Sequence, residues 1–330
     1  MYNIIKVRSI VVAYTIGCTF LISMKIRIFI LLSLAFILTG CGKDDDGQDE
    51  GGPVVLNRNA NVVTTQPEVA RLEFPRLKGG DNNLIVIHKT KDKYDPDGVN
   101  YSIEWDCEKK SQRWSCFQLH KYGGSQTSRQ NTWGEDPDIP SYARFADSYR
   151  MFTGSGFTRG HICASADRLY SVTANQQTFY YSNMQPQYYN FNGGNNYTGI
   201  WVRMENQVRS WAATSGYDTL YVCKGGTIDK EEQILMRIEK TFTTDKMIVP
   251  KYFFMALLCK NAQGYKALAF WVEHRPEPYT GTENLSDYVV NIRQLEALTG
   301  IDFFCNLPDD VENSVENLNV ENIKRAWGLK

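Results

Sequence analysis

The chain of 330 residues carries 36 Lys and Arg against 37 Asp and Glu, and a net charge of -1 excludes a globally basic nucleic-acid binder. Its contents of 42% hydrophobic, 13% aromatic and 22% charged residues exclude wholesale disorder and are typical of a folded globular protein. From residue 51 onward 31 basic groups stand against 32 acidic ones, so the overall field cannot steer a polyanion. A polyanion must therefore be held by a local patch or a bound metal.

The N-terminus has the pattern of a targeting segment. Lys25 and Arg27 precede an apolar run at residues 28–38, which is too short to cross a bilayer. This pattern predicts a signal peptide over residues 1–40. A complete signal peptide already begins at Met24, so we expect Met24 to be the true start of the protein.

The signal ends in the sequence LTGC at residues 38–41, which resembles a bacterial lipobox. We expect cleavage before Cys41 and lipidation of its thiol, which attaches a protein to a membrane without a spanning helix. The acidic run at residues 44–50 resembles the export signal of surface-exposed lipoproteins, and a plain solvated tether is the alternative. The sequence thus predicts a flexible acidic tether over residues 41–65 and a lipid anchor in the bacterial outer membrane, with exposure at the cell surface as an option.

Six cysteines follow the tether, and none of them forms a CxxC pair, which argues against a zinc cluster. Cys107 and Cys116 flank a short polar turn and can close a local disulfide. The sequence does not fix any pairing, and free buried thiols are the alternative reading for the remaining four: Cys163, Cys223, Cys259 and Cys305.

Apolar runs in the first half of the chain predict short strands at residues 84–87, 101–105 and 113–120. Residues 121–157 are rich in Gly, Pro and Ser and are expected to form loops. Residues 173–176 resemble a capping box before a short helix.

In the second half, apolar residues recur at helical spacing over residues 199–213, and Trp201 and Trp211 are expected to be core residues of that helix. Further strands are predicted at 217–223, 246–259 and 264–273. Ser286 is expected to cap a last helix that Gly300 ends. We predict one α+β domain over residues 66–330, with a mostly antiparallel central sheet flanked by helices.

The segment 157–168 contains the tripeptide Arg159-Gly160-His161. A strand that ends in this tripeptide places a guanidinium and an imidazole side by side, and Gly160 lets the backbone approach a bulky ligand. Histidine can deprotonate a water molecule, while arginine can pair with a phosphodiester. The tripeptide alone is a weak signal.

Segments downstream of this tripeptide strengthen the indication of a phosphodiester site. Residues 178–187 (TFYYSNMQPQ), the sequence GIW at 199–201 and Glu205 follow in order, and further matching segments lie at 129–137, 250–253 and 295–309. Together they resemble the DNA/RNA non-specific endonuclease family of ββα-metal (His-Me finger) nucleases, with its D-R-G-H, T-F-Y-x-S-N-x-x-P-Q and N-x-G-x-W-x-x-x-E motifs. The resemblance covers about residues 80–318.

The resemblance implies a role for each matching residue. It makes His161 the general base, Arg159 a contact of the scissile phosphate, and Glu205 a holder of metal-bound waters. The family's helix asparagine is the sole direct protein ligand of a hydrated Mg²⁺ ion, and Mn²⁺ is the alternative metal. Arg129 is a candidate for substrate binding as a second phosphate arginine, and an ordinary loop arginine is the alternative.

This sequence departs from the family pattern in two places. Thr158 stands where D-R-G-H has its Asp, and we expect altered support with activity retained. The family asparagine lies four residues before the Trp, where this chain has Tyr197. A one-residue bulge would make Asn196 the metal ligand, with Asn192 and Asn195 as alternatives.

Two classes of function follow. The first is a Mg²⁺-dependent endonuclease that cuts DNA and RNA to 5'-phosphorylated fragments. The second is a surface lipoprotein that uses the nuclease scaffold to bind nucleic acid or a partner without catalysis. The intact pair of Arg159 and His161, together with Glu205, favours the enzyme, because a binding scaffold has no need of a base.

Overall fold

The computed structural model describes residues 56–90, 98–121, 125–214 and 219–330. The expected signal peptide, Cys41 and the acidic run at 44–50 lie outside the described residues. Within the described ranges no helix combines the length and the apolar character that a membrane crossing requires.

A large antiparallel sheet of seven strands dominates the described part of the chain, in the order β1-β2-β3-β6-β9-β10-β11. Two smaller antiparallel pairs, β4 with β5 and β7 with β8, stand beside it. The strands are β1 (Asn83–Lys89), β2 (Val99–Asp106), β3 (Ser111–Leu119), β4 (Thr158–His161), β5 (Met184–Gln187), β6 (Leu220–Gly226), β7 (Ile234–Ile238), β8 (Met247–Pro250), β9 (Tyr252–Asn261), β10 (Gly264–Glu273) and β11 (Val289–Val290). The predicted α+β class with a mostly antiparallel sheet is confirmed.

Strand β9 shows why the sheet is covered on both faces. Successive side chains of a strand point to opposite faces, and the seven consecutive residues 253–259 of β9 are buried. Phe253, Met255 and Leu257 belong to one core, whereas Phe254 and Ala256 belong to another. Because both sets are apolar, a helix layer packs on each side of the sheet.

The described helices are α1 (Ser148–Phe152), α2 (Val172–Gln177), α3 (Tyr189–Asn192), α4 (Ile200–Ala213), α5 (Ile292–Thr299), α6 (Asp309–Glu316) and α7 (Val320–Ala326). Helix α4 matches the predicted amphipathic helix, and both Trp201 and Trp211 are core residues as expected. Helices α4 and α7 contribute to the first core, and α5 and α6 contribute to the second. The sequence analysis did not predict α6 and α7.

The last predicted helix begins later than expected. Ser286 lies in a short 3-10 turn, and Val289 starts strand β11, which pairs with β10. Asn291 caps α5 instead. Its side chain accepts a hydrogen bond from Gln294 N, and the Gln294 side chain accepts one from Asn291 N. Gly300 ends the helix in a left-handed conformation, as predicted.

Residues 57–61 are hydrogen-bonded to the C-terminal part of the domain. Asn57 Nδ2 donates to the Leu307 carbonyl, Arg58 N donates to Asp309, and Asn61 N donates to Asn306. The sequence predicted a flexible tether as far as residue 65 and a domain starting at residue 66. These contacts place the last residues of that segment against the domain.

All six cysteines that follow the expected tether are free thiols in the structure. The local disulfide that Cys107 and Cys116 could close is therefore not formed in this structure. Cys107 is half-buried, and the other five are buried. Burial raises the pKa of each thiol; for Cys163 and Cys305 it reaches about 12.

Gly225 in β6 offers a test of the sheet. A Cβ there would lie 2.7 Å from the Arg113 carbonyl oxygen of the neighbouring strand β3, so Gly225→Ala must push two central strands apart. We expect a loss of about 1–3 kcal/mol in the free energy of unfolding, as for an overpacked core. Urea unfolding followed by circular dichroism measures it.

Gly193→Ala is the matched control, because a Cβ at Gly193 would meet nothing within 4 Å. Equal unfolding midpoints for the two variants would contradict this account of the packing between β3 and β6.

Candidate active site

Strands β4 and β5 and helix α4 form the ββα unit that the sequence predicted. In the pairing of β4 with β5, His161 lies opposite Met184. Trp201 Nε1 donates a hydrogen bond of 3.2 Å to the His161 carbonyl oxygen, which ties α4 to the end of β4. The three elements thus hold the His161 backbone from two sides.

Gly160 is required by this pairing. A Cβ at Gly160 would lie 2.2 Å from atoms of the Gln187 side chain, which is itself fully buried. The sequence analysis expected the glycine to admit a bulky ligand. In the structure its space is taken by Gln187.

Asn183 fixes the chain just after His161. Its Oδ1 accepts a hydrogen bond from Cys163 N, and its Nδ2 donates to the carbonyls of Cys163 and Thr178, each at 2.8 Å. Asn183 is fully buried. A buried amide with all these bonds made acts as a rigid clamp on the loop that leaves β4.

A cleft of about 530 Å³ opens beside this unit. It brings together five residues that the sequence analysis named as site candidates, although they are spread over 77 positions of the chain: Arg129, Arg159, His161, Asn192 and Glu205. Asn195 and Asn196 are not among the residues that line the cleft.

His161 is held as a neutral imidazole. Its ring packs edge-on against Trp133 and Phe179, with centroids 5.5 and 5.1 Å away. Burial, together with the positive charges of Arg129, Lys224 and Arg159, lowers its pKa to about 3, and a hydrogen bond to the Arg159 backbone opposes this only in part. His161 Nε2 is buried and has no hydrogen-bond partner in the structure. A neutral ring nitrogen without a partner is free to accept a proton.

Two arginines face the same cleft over aromatic rings. The Arg159 guanidinium lies 4.0 Å from the centroid of Trp133, and that of Arg129 lies 4.8 Å from the centroid of Phe179. Arg129 Nε also donates to Asn131 Oδ1. Neither arginine has an ion-pair partner among the described residues, so both can offer charge to an anion.

Glu205 lines the cleft and forms an ion pair with the buried Lys224. Lys224 Nζ lies 2.8 Å from Glu205 Oε1, and Lys224 is only 2% exposed. Burial raises the pKa of Glu205, whereas Lys224 and Arg209 act to lower it. The lysine therefore favours the charged carboxylate in a place where burial alone would favour the protonated acid.

Asn192 is oriented by Thr158, the residue that replaces the family's Asp. Asn192 Nδ2 donates to Thr158 Oγ1 at 3.0 Å, and Thr158 Oγ1 donates to the Gln187 carbonyl at 2.9 Å. Because the amide nitrogen is engaged with Thr158, the amide oxygen of Asn192 is left for another partner. Thr158 therefore orients the amide group of Asn192, which lines the cleft.

Asn196, the expected metal ligand, and its alternative Asn195 do not line the cleft, whereas the second alternative, Asn192, does. Asn192 lies nine residues before Trp201, not four, so a ligand at Asn192 would require five more residues, 193–197, than the family motif has. This segment contains three positive φ angles, at Gly194, Asn196 and Tyr197. Tyr197 lines the cleft and is 75% exposed.

His88, Asp136 and Asp138 form a group whose donor types suit a metal ion. However, the two ring nitrogens of His88 face different carboxylates: Nε2 lies 3.1 Å from Asp136, and Nδ1 lies 3.5 Å from Asp138. Burial lowers the pKa of His88, but the two carboxylates outweigh it and the net shift is upward. Each ring nitrogen thus faces a different carboxylate, and the ring also packs on Tyr101 and Tyr180.

The sequence analysis missed Lys224 and Trp133 as site residues. A lysine inside the otherwise apolar strand β6 was a usable signal, because a buried cation needs a partner. Trp133 gave no such signal, since a tryptophan in a loop-rich segment is more often a packing residue.

Comparisons with known proteins find similarity to nucleases. The mitochondrial endonuclease G of Homo sapiens is 29% identical over 219 residues, which cover 63% of this chain and 68% of that protein. A nuclease of Nostoc sp. is 26% identical over 253 residues, covering 73% of this chain and 84% of that one. The mitochondrial nuclease EXOG of Xenopus laevis is 27% identical over 221 residues, and the match spans 64% of this chain but only 58% of the frog protein.

A solved structure shares the fold. A chain in the crystal structure of the EndoG/EndoGI complex matches with a TM-score of 0.55 at 18% identity, covering 74% of this chain and 94% of that chain. The sequence motifs of the DNA/RNA non-specific endonuclease family match residues 86–310, a span that includes the whole ββα unit and more than half of the chain. The chain therefore belongs to the DNA/RNA non-specific endonuclease family.

Proposed function

We propose that this protein is a Mg²⁺-dependent endonuclease that hydrolyses phosphodiester bonds of DNA and RNA and leaves 5'-phosphorylated fragments. The observation that carries the proposal is the unpartnered Nε2 of a neutral His161 in a cleft shared with two arginines. A base and a cationic phosphate site in one cleft are what phosphodiester hydrolysis needs.

His161 is the general base of the proposed reaction. Its Nε2 takes a proton from the attacking water, and the surrounding aromatic rings keep competing donors away from it. The hydrogen bond from Trp201 to the His161 carbonyl holds the backbone still while the ring acts. General-base catalysis of this kind contributes about 10²- to 10⁴-fold in rate.

Arg159 and Arg129 hold the phosphate in the proposed complex. Their guanidinium groups rest on Trp133 and Phe179, which limits their motion without using up their charge. Charge that builds on the phosphate oxygens during attack is stabilised by such positioned cations. The rim residue Tyr197 is exposed and offers a ring face to a nucleobase.

The donor set fits a hard, hydrated divalent ion. The Asn192 amide oxygen is the direct ligand in this proposal, and the Glu205 carboxylate accepts hydrogen bonds from waters of the ion. Mg²⁺ keeps several waters and needs few protein ligands, which suits one amide and one carboxylate, with Mn²⁺ as the alternative. When bound, the ion supplies charge stabilisation at the phosphate and the leaving oxygen.

The non-catalytic alternative is a scaffold that binds nucleic acid without cutting it. His161→Ala separates the two functions, because a scaffold loses nothing when the base is removed. We expect His161→Ala to nick supercoiled plasmid about 10²- to 10⁴-fold more slowly than the native protein at equal Mg²⁺. EDTA should stop the native protein.

His120→Ala is the matched control, because His120 lies at the end of β3 and outside the cleft. A folded His161→Ala protein that nicks plasmid at the native rate would contradict the assignment of His161 as the general base. Native protein that binds plasmid and never nicks it would favour the scaffold.

The pH dependence follows from the lowered pKa of His161. The base must be neutral, and a pKa of about 3 keeps it neutral as the pH falls from 8 to 5. For an unperturbed imidazole with a pKa of about 6.5, only about one molecule in 30 would be neutral at pH 5. We therefore expect no titration of His161 between pH 5 and 8.

Histidine ring resonances followed by NMR in the metal-free protein measure this directly, and comparison with His161→Ala assigns the signal. A His161 resonance that titrates near pH 6.5 would contradict the burial described here.

Substitutions distinguish the three candidate metal ligands, Asn192, Asn195 and Asn196. We expect Asn192→Ala to raise the Mg²⁺ concentration needed for half-maximal nicking by at least the roughly 10- to 100-fold that the loss of an outer-shell partner costs, because here the direct ligand is lost. Asn196→Ala and Asn195→Ala should change it less than twofold, since neither residue lines the cleft. Activity titrated against Mg²⁺ measures all three variants.

Thr158→Val keeps the shape of Thr158 and removes the hydroxyl that orients Asn192. It should raise the Mg²⁺ requirement less than Asn192→Ala does and leave the rate at saturating Mg²⁺ close to native. If Asn196→Ala proves more damaging than Asn192→Ala, the ligand assignment is overturned.

A further inference from the structure

Outside the cleft, four acidic side chains converge between helices α5 and α6 and the segment at residues 57–61. This carboxylate cluster consists of Glu296, Asp302, Glu312 and Glu316. It lines a cavity of about 480 Å³ that shares no residue with the catalytic cleft. The proposed nuclease mechanism makes no use of it.

Three members of the cluster are close enough to share one ion. Glu296, Asp302 and Glu316 each offer a carboxylate oxygen, and these oxygens lie within 4.8 Å of one another. Ligands of a Ca²⁺ ion lie about 2.3–2.6 Å from it, so two ligands on opposite sides are separated by about 4.6–5.2 Å. The observed spacing fits that diameter.

One oxygen in the cluster has no partner. Glu316 is only 1% exposed, and its Oε1 is buried without a hydrogen bond. Its other oxygen, Oε2, lies 2.6 Å from Arg293. A buried carboxylate oxygen without a donor is costly, so this atom points to a missing positive partner.

The segment at residues 57–61 reaches the cluster through Asn59. Asn59 Nδ2 donates to Asp302 Oδ2 at 3.1 Å and to Glu312 Oε1 at 2.8 Å. The amide group therefore contacts carboxylates from two separate parts of the chain.

The protein's own cations balance the cluster only in part. Arg293 pairs with Glu296 at 3.1 Å and with Glu316 at 2.6 Å, and Arg58, on the cavity wall, pairs with Asp309. The charge of Arg76 acts to lower the pKa of Asp302. Burial, with repulsion between the acids, raises the pKa of Glu316 to about 8 and those of Glu296 and Glu312 to about 7. Burial also raises the pKa of Asp302.

We propose that the carboxylate cluster is a Ca²⁺ site, with Glu296, Asp302 and Glu316 as ligands. The donors are all oxygens, which suits a hard cation. Ca²⁺ accepts six to eight oxygens in flexible geometry, whereas Mg²⁺ requires near-ideal octahedral geometry at a shorter distance and is usually held by one or two carboxylates. A site with several carboxylates therefore favours Ca²⁺.

The bound ion links α5, α6 and, through Asn59, the segment at residues 57–61. Ligands that bind only the folded state stabilise it by mass action. The site therefore acts on stability and on the attachment of the N-terminal segment, and it does not act on the chemistry of the cleft.

Thermal unfolding of the full chain, stripped of metal and titrated with CaCl₂, tests the proposal. With an affinity in the range of extracellular Ca²⁺ modules, 10 mM Ca²⁺ should raise the midpoint by roughly 3–10 °C. The rise should persist in Asn192→Ala, which lacks the proposed ligand in the cleft. Isothermal titration calorimetry of Asn192→Ala should give one Ca²⁺ per chain.

Glu316→Gln should abolish the Ca²⁺-dependent rise, and Asp302→Asn serves as a second variant if the first is poorly folded. Glu321→Gln is the matched control, because Glu321 is exposed and pairs only with Lys324 among the described residues. Both Glu316→Gln and Glu321→Gln should retain Mg²⁺-dependent nicking.

A native protein whose midpoint does not respond to 10 mM Ca²⁺ overturns the proposal. So does a rise that is equally large in Glu316→Gln and Asp302→Asn. A response to Mg²⁺ that depends on Glu316, with none to Ca²⁺, overturns the assignment to calcium.

Discussion

The catalytic cleft depends on a strand pairing that has no room for a side chain at residue 160. With only hydrogen on its Cα, Gly160 lets the Gln187 side chain lie directly on β4, and the two strands then hold Arg159 and His161 in register. Asn183 clamps the chain immediately after His161, and Trp201 ties it to α4. The backbone at His161 is therefore fixed by contacts from β5, Asn183 and α4.

Charge in the cleft is arranged on two levels. Arg129 and Arg159 lie over aromatic rings and face the open space, whereas Lys224 lies behind Glu205 and is buried. All three cations lower the pKa of His161. The same positive field that would attract a phosphate thus also keeps His161 unprotonated.

Local patterns predicted most of this architecture, because period-two and helical spacings act within a few residues. Strands β1, β2, β3 and β10 and helix α4 follow from such patterns. Spacing left the choice among Asn192, Asn195 and Asn196 open, because only the tertiary fold shows that Asn192 lines the cleft and that the other two do not. The carboxylate cluster was not predicted either, since Asn59 and Glu316 are brought together only by the tertiary fold. Lys224 could have been found, because a charged residue in an apolar strand requires an explanation.

The free state of all six described cysteines has a consequence for how the chain can mature. A domain whose two cores are completed by apolar packing requires no oxidant to reach its native structure. Its folding is then independent of the redox potential around it, and reducing agents remove no covalent support. The buried thiols, with their raised pKa values, are also poor substrates for disulfide exchange. The fold should be equally accessible in a reducing and in an oxidising compartment.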